Sequence, residues 1–180
     1  HAGEIPIVFT GAMDYWPNVD AVTWFVREIF PELRRHHPAC RFHIVGRSPT
    51  PEVAVLTDQH VSVTGTVPDV RPYLQHAAVV VAPLRVARGI QNKILEAMAM
   101  EKAVVATSEC ASAVDAQIGT ELLSAVSPTD FVTEIRSLLT DPERAKAIGS
   151  AARARVIACY SWEAHLSSID TYLNFASAKA

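Results

Sequence analysis

The stretch from Pro83 to Thr107 contains the residues of this chain whose types and spacing could do chemistry. A glycine-bearing loop there opens a short amphipathic helix, and the first N–H groups of a helix lack intrahelical partners and lie at the positive end of its dipole. The segment Gly89 to Asn92 therefore offers a binding site for a phosphate. Glu96 is expected about two turns further in, roughly 8–10 Å along the axis at about 1.5 Å per residue.

A carboxylate at that distance from a phosphate suits a ribose. The two oxygens of Glu96 can accept hydrogen bonds from the 2′- and 3′-hydroxyls of a ribose whose diphosphate rests on the loop. The predicted ligand is a nucleoside diphosphate, and a nucleotide sugar in particular. The simpler alternative is an exposed ion pair between Glu96 and Lys93, which stand three positions apart on the helix. Gln91 and Asn92 have an alternative role too, because polar residues at a helix start often only cap it.

The composition predicts one globular domain and excludes several partners. With 49% hydrophobic and 19% charged residues, a chain of 180 residues can bury a substantial core and falls in the single-domain range. Its formal net charge of -3 gives no general attraction to nucleic acid, so no nucleic-acid partner is expected. The three cysteines, Cys40, Cys110 and Cys159, are far apart and odd in number, which predicts neither a disulfide framework nor a zinc site. A reducing, cytoplasmic location is the expectation that follows.

Several motifs that would indicate other chemistry are absent from the sequence. No D-x-D pair and no H-E-x-x-H spacing occurs, so no bound metal is expected. G-x-S-x-G, the P-loop and G-x-G-x-x-G are also missing, which argues against a hydrolase, a nucleoside triphosphatase and a dinucleotide enzyme. No run approaches the roughly 20 apolar residues that span a bilayer. The charge of a bound diphosphate must therefore be met by groups of the protein.

Short apolar runs alternate with amphipathic helical patterns along the chain, and Gly or Pro ends most runs. Six strands are predicted, over Ile5–Thr10, 41–46, 61–64, 78–82, 103–107 and 122–126. Helices are predicted after Pro17, over 69–76 and 91–100, and after the start signals Ser127-Pro128, Asp141-Pro142 and Ser161-Trp162. This pattern predicts an α/β fold: a Rossmann-like, doubly wound parallel sheet of six strands, with helices on both faces and a helical C-terminal segment. The whole chain, 1–180, is predicted to be a single domain.

Three phrases carry a resemblance to a known family: FTGAMDYWPN at 9–18, VTGTVPDVRPYL at 63–74 and APLRVARGIQNKILEAMAM at 82–100. With them, nearly the whole chain resembles the C-terminal, donor-binding half of a GT-B-fold retaining glycosyltransferase of family 4. More narrowly, it resembles the sugar transferases of bacterial exosortase (PEP-CTERM) and exopolysaccharide gene systems. The resemblance implies that an N-terminal domain outside this sequence holds the acceptor, a glycan or a lipid-linked molecule. The chain alone is then expected to bind donor but to transfer poorly.

The resemblance also assigns roles to residues. Glu96 matches the second glutamate of a family motif with seven intervening residues, which binds the donor ribose. The first glutamate is replaced by Arg88, which is expected to face a phosphate instead of the transferred sugar. Many relatives place an arginine where Ala12 stands, and 13–18 contains no basic residue. Arg85, Arg88 and Lys93 are therefore predicted to take over the charge that meets the diphosphate.

These considerations define the predicted site and its ligands. Arg88 and Lys93 are the predicted catalytic residues, because cations and N–H groups at the helix start would stabilise the charge that builds on the departing diphosphate. The predicted donor-binding residues are Gly11, Ala12, Arg85, Gly89, Ile90, Gln91, Asn92 and Glu96. Gly46, Arg47 and Thr66 are predicted on the side of the nucleobase. The donor is expected to be a UDP- or GDP-sugar, with no cofactor and no metal, and the full-length protein could associate peripherally with the membrane.

Two alternatives remain for the function. A nucleotide-sugar epimerase would share the fold and would also use a glutamate on the ribose. A binding module without activity of its own would explain the departures at Arg88 and Ala12 as lost chemistry.

Overall fold

The computed structural model describes residues 3–164. At its centre lies a sheet of six parallel strands in the order β3-β2-β1-β4-β5-β6. The strands are β1 (Ile5–Thr10), β2 (Cys40–Val45), β3 (Val61–Val63), β4 (Val79–Ala82), β5 (Val104–Thr107) and β6 (Leu123–Ala125). The six predicted strands are confirmed, each end lying within one residue of its predicted position. The predicted Rossmann-like α/β fold is likewise confirmed.

The strand order defines where a ligand can bind. The helices are α1 (Trp16–Trp24), a π-helical segment (Phe25–Ile29), α2 (Phe30–His36), α3 (Pro51–Ala54), α4 (Arg71–His76), α5 (Asn92–Ala99), α6 (Ser108–Ser112), α7 (Pro128–Thr140) and α8 (Pro142–Tyr160). Right-handed crossovers place α1–α3 on one face of the sheet and α4–α6 on the other. The order reverses between β1 and β4, and such a switch point opens a crevice at the carboxyl ends of its strands.

Buried apolar side chains hold these layers together. Every residue of β4 and β5 is buried, as expected for strands that are covered on both faces. The rings of Phe25, Phe30 and Phe42 form a cluster whose centroids lie 4.5–6.2 Å apart. Because this cluster joins the first helical layer to β2, it fixes the position of the loop that connects β1 to α1.

The helical pattern after Pro17 is confirmed, but it is not one uniform α-helix. The backbone N–H of Phe30 donates to the carbonyl of Phe25, five residues back, and this defines the π-helical segment. Pro31 has no N–H to donate and its ring excludes the carbonyl four residues before it, so the α-helical ladder cannot run through this turn. The π-helical turn restores the hydrogen bonding next to the proline.

Two of the predicted start signals act as caps. Ser127 and Asp130 form a capping box at α7, and the Asp141 side chain accepts the N–H of Arg144 at 2.9 Å in α8. By contrast, α4 begins two residues later than predicted, because Asp69 accepts the N–H of Arg71 with its side chain and lies before the helix. The helix predicted after Ser161-Trp162 lies mostly outside the described residues. Ser161 Oγ accepts the N–H of Ala164 at 3.1 Å there.

Helix α8 packs against α5. Gly149 of α8 packs against the backbone after α5, and a Cβ at this glycine would lie 2.1 Å from the carbonyl oxygen of Glu101. Glu101 has a positive φ of 57°, which closes the C-terminal turn of α5 by hydrogen bonds to Met98 and, through Lys102, to Ala97. Within residues 3–164, no helix is both long and apolar enough to cross a bilayer.

Candidate functional site

A cleft of about 590 Å³ lies at the carboxyl ends of β1 and β2, beside the switch point between β1 and β4. It brings together residues that are far apart in sequence: the loop after β1, the loop after β2, the segment after β3 and the start of α5. The predicted site residues that line it are Gly11, Ala12, Gly46, Arg47, Thr66, Ile90, Gln91, Asn92, Lys93 and Glu96. The cleft therefore gathers most of the predicted donor-binding residues and all three that were predicted on the nucleobase side.

The base of the cleft is formed by two glycines in close contact. A Cβ at Gly46 would lie 1.7 Å from the carbonyl oxygen of Gly11, and Gly46 has a φ of +152°. A Cβ at Gly11 would in turn lie 2.7 Å from Nδ2 of Asn18. Only glycine allows these backbones to approach so closely. Gly46 thus has a packing role in addition to its predicted position on the side of the nucleobase.

Lys93 lies in the wall of the cleft, where its closest partners are two uncharged side chains. Its Nζ donates a hydrogen bond to Oδ1 of Asn18 and lies 4.1 Å from the ring centroid of Phe9. Burial disfavours the charged form and lowers the pKa of Lys93 to about 8. Among residues 3–164, none of the ion pairs involves Lys93. The exposed Glu96–Lys93 ion pair considered as the simpler alternative is therefore not formed.

Asn18 also lines the cleft, although it was not among the predicted site residues. Its side chain is 5% exposed, and its Nδ2 donates to the carbonyl oxygen of Ala12 at 2.9 Å while its Oδ1 accepts from Lys93. One amide thus connects the loop after β1 to the start of α5. The sequence marks Asn18 only as a polar residue at a helix start, and its partner lies in a different element of the chain.

Thr10 is a second buried polar residue of the cleft. This side chain is 4% exposed, and its Oγ1 has no hydrogen-bond partner among the described residues. Buried hydroxyls are normally hydrogen-bonded, so Oγ1 of Thr10 is an exception in the wall of the cleft.

The start of α5 is open toward the cleft. The helix begins at Asn92, and its N-cap residue Gln91 makes no side-chain cap. Gln91 instead donates from Nε2 to the carbonyl oxygens of Arg88 and Gly89, both at 3.3 Å, and so holds the preceding loop. Glu96 is exposed and lines the cleft. It lies about one turn, or about 6 Å, from the first residue of α5, whereas about two turns were predicted. The difference arises because the loop continues to Gln91.

Three predicted site residues do not line the cleft. Arg85 lies in a neighbouring pocket beside α1, where its Nε donates to Oδ2 of Asp20 at 3.0 Å and its guanidinium lies 5.4 Å from the ring centroid of Trp24. Arg85 thus lies outside the cleft that gathers the other predicted residues, and a carboxylate of the protein is paired with it. Arg88 and Gly89 are exposed on the loop outside the lining of the cleft.

No group of three or more His, Cys, Asp or Glu side chains within 3–164 is arranged to hold a metal ion. The cleft offers backbone N–H groups at the start of α5, the partly buried ammonium of Lys93, the guanidinium of Arg47, several neutral polar side chains and the exposed carboxylate of Glu96. Such a set can bind an anion at one end and a pair of hydroxyls at the other.

The six-stranded parallel sheet with helices on both faces is a Rossmann-like α/β fold that matches GT-B glycosyltransferase structures. The chain belongs to the family described as Glycosyl transferases group 1, whose pattern matches residues 4–141. No curated protein sequence matches the chain at a significant level.

Solved structures of glycosyltransferases share the fold. A mutant of TarM from S. aureus, in complex with fondaparinux, alpha-GlcNAc-glycerol and UDP, has a TM-score of 0.74 at 20% identity over 96% of this chain and 35% of its own. Alr3699/HepE from Anabaena, in complex with UDP and glucose, has a TM-score of 0.72 at 16% identity over 96% of this chain and 49% of its own. The C-terminal domain of LpcC from Francisella tularensis, a group 1 glycosyl transferase, has a TM-score of 0.66 at 16% identity over 88% of this chain and 87% of its own. The chain spans about a third of TarM and about half of HepE.

Proposed function

We propose that this chain is the donor-binding domain of a retaining glycosyltransferase and that its cleft binds a UDP- or GDP-sugar. One observation carries the proposal: the open start of α5, the ammonium of Lys93 and the carboxylate of Glu96 line the same cleft. A diphosphate placed at the helix start puts its ribose within reach of Glu96, about one turn along. TarM and HepE, which share the fold, hold UDP.

The proposed chemistry is stabilisation of the leaving group. As the bond between the sugar and the diphosphate breaks, negative charge grows on the phosphate oxygens. We propose that the N–H groups at the start of α5 and the ammonium of Lys93, which line the cleft together, stabilise that charge. Arg88 lies outside the lining and could meet the same phosphates from the solvent side. With these groups, the protein itself supplies the counter-charge.

Other parts of the proposal concern the full-length protein. We propose that a separate N-terminal domain binds the acceptor, a glycan or a lipid-linked molecule in exopolysaccharide or cell-surface glycan synthesis. The family to which the chain belongs and the length of TarM and HepE support this arrangement. Product analysis of the full-length protein with donor alone, followed by donor with acceptor, separates transfer from epimerisation and from binding without turnover.

The proposal is tested by calorimetry of the chain with UDP and with GDP. We expect one of them to bind, and Glu96→Gln to weaken that binding at least about tenfold, or about 1.4 kcal/mol, because the amide offers one uncharged acceptor oxygen where the carboxylate offers two charged ones. Glu96 is exposed, so the substitution should leave the melting temperature unchanged. Glu143→Gln, at an exposed position of α8 away from the cleft, is the matched control. Absence of binding by folded wild-type chain, or equal affinities for wild type and Glu96→Gln, would contradict the proposal.

A further inference from the structure

Among residues 3–164, the partly buried ammonium of Lys93 makes no ion pair. Taking an ammonium out of water is costly unless an anion and hydrogen bonds compensate it. Lys93 has the phenyl face of Phe9 on one side and the neutral amide of Asn18 on the other. Natural proteins keep such an arrangement where it serves a ligand, because an apolar side chain of similar volume would stabilise the fold better.

The groups around Lys93 do not supply the missing charge. Two titratable side chains act on it electrostatically, Cys110 of α6 and Glu96 of its own helix. Burial raises the pKa of Cys110, so this thiol stays protonated and neutral. Glu96 makes no ion pair with Lys93 among the described residues and lies exposed at the cleft. β1 and α1 present only Phe9, Thr10 and Asn18 to this part of the cleft.

Asn18 holds the ammonium and the loop after β1 in a fixed relation. Both ends of its amide are used, one by the carbonyl of Ala12 and the other by Lys93. The unpartnered Oγ1 of Thr10 belongs to the same wall, at the last residue of β1. An anion in this corner would gain the ammonium and the N–H groups at the start of α5 together.

We infer that Asn18 positions Lys93 as a cation without a counter-ion, and that the diphosphate of the donor supplies the missing anion, so that donor binding requires Lys93 to be protonated. This inference rests on the proposed function and adds the element that carries the charge. The cation comes from α5, whereas residues 11–18 in and after the loop that follows β1 contain no Lys or Arg.

The first consequence concerns Lys93→Met. This substitution keeps the length of the side chain and removes the charge, so we expect UDP affinity at pH 7 to fall at least about tenfold. The melting temperature should stay equal or rise, because an uncompensated buried charge is gone. Binding of uridine should be unchanged, which locates the loss at the phosphates. UDP affinity within about twofold of wild type, or a clear fall in melting temperature, would overturn the inference.

The second consequence concerns pH. The free domain holds Lys93 with a pKa of about 8, and only the charged form accepts the diphosphate, so the affinity of wild type should fall about tenfold between pH 7 and pH 9. Lys93→Met has no group that titrates there, and its profile reports any titration of the nucleotide itself. Lys93→Arg keeps a charge at every pH used and should follow the flat profile of Lys93→Met, at higher affinity. Identical profiles for wild type and Lys93→Met would overturn the inference.

The role of Asn18 is tested by Asn18→Asp. A carboxylate at this position gives Lys93 an internal counter-ion, so we expect weaker UDP binding at pH 7 and a pH inflection displaced upward by at least about one unit. A purely structural role of Asn18 would weaken binding without moving the inflection, and that outcome would reject the positioning role. If wild type binds neither UDP nor GDP, the proposed function itself fails. If wild type binds and Lys93→Met binds equally well, only the present inference fails.

Discussion

Arg85 and Lys93 come from the same stretch of sequence, yet the structure places them in two different environments. The guanidinium of Arg85 makes an ion pair with Asp20 and lies over Trp24 in the pocket beside α1. The ammonium of Lys93 reaches the cleft, where it donates to a neutral amide, lies over a phenyl ring and makes no ion pair among residues 3–164. Arg85 has its counter-charge within the protein, whereas the counter-charge of Lys93 must come from elsewhere.

The difference originates on α1. Asn18 and Asp20 stand two positions apart on this helix, and the amide contacts Lys93 while the carboxylate contacts Arg85. Asp20 thus neutralises Arg85, whereas Asn18 leaves the charge of Lys93 available to a ligand. A basic residue near a predicted phosphate-binding motif is therefore available to a ligand only if the fold leaves it without a carboxylate partner.

The largest effect is expected where the cleft itself is disrupted. Gly46→Ala places a Cβ against the carbonyl of Gly11, so the two loops must separate. We expect the free energy of unfolding to fall by about 3 kcal/mol or more, with loss of UDP binding. Urea denaturation and calorimetry measure the two effects.

Gly65→Ala is the control for this variant. Gly65 also has a positive φ, of 67°, but a Cβ there meets nothing within 4 Å, so only about 1 kcal/mol of backbone strain is expected. Equal losses in the two variants would show that close contact at Gly46 is not what matters.

The next effect separates the two cations by the pH dependence of stability. The pKa of Lys93 is lowered from 10.5 to about 8 in the fold, so below pH 8 its charge destabilises the folded state by up to about 3 kcal/mol. That penalty fades as pH rises from about 8 to 10.5, because the folded chain releases the proton before the unfolded chain does. Lys93→Met should therefore be more stable than wild type at pH 7, and the advantage should disappear near pH 10.5. Denaturation at several pH values measures this difference, and a constant difference would contradict it.

A smaller effect of opposite sign is expected for Arg85→Met. The ion pair with Asp20 and the contact with Trp24 are lost, which should lower the free energy of unfolding by about 1 kcal/mol for this half-exposed side chain. UDP affinity should remain within about twofold of wild type, because Arg85 does not line the cleft. If Arg85→Met weakened UDP as much as Lys93→Met does, the comparison between the two cations would break.

The smallest effect is expected for Arg88→Ala. Arg88 is exposed on the loop, so any contact it makes with a phosphate is screened by solvent. We expect UDP affinity to fall by less than about threefold in calorimetry, with an unchanged melting temperature. A loss as large as that of Lys93→Met would show that the loop closes over the nucleotide and brings Arg88 into the site.

The fold was predictable because its signals are local. Each strand is a short apolar run, in most cases ended by Gly or Pro, and α7 and α8 begin at capping residues followed by proline. The position of the cleft followed from the same pattern, because parallel strands bring their carboxyl ends to one edge. The π-helical segment before Pro31 was not predicted, since periodicity does not distinguish it from an α-helix over a single turn.

The charges of the site were less predictable because they depend on distant partners. The sequence indicated three basic residues near the predicted phosphate site, and it contains no signal that Asp20 engages Arg85. Asn18 escaped notice for the same reason, as its meaning arises only when α1 and α5 meet. Glu96 was predicted from its motif. Its distance from the helix start differs from the predicted one because α5 begins at Asn92.

The contact between Gly46 and Gly11 has a consequence for the energetics of ligand binding. Two loops from neighbouring strands are pressed together there, and Asn18 ties the same backbone to α5. This end of the cleft therefore loses its conformational entropy when the chain folds, before any ligand arrives. A nucleotide that enters meets a preorganised rim, and the free energy of its contacts appears as affinity instead of being spent on ordering the loops.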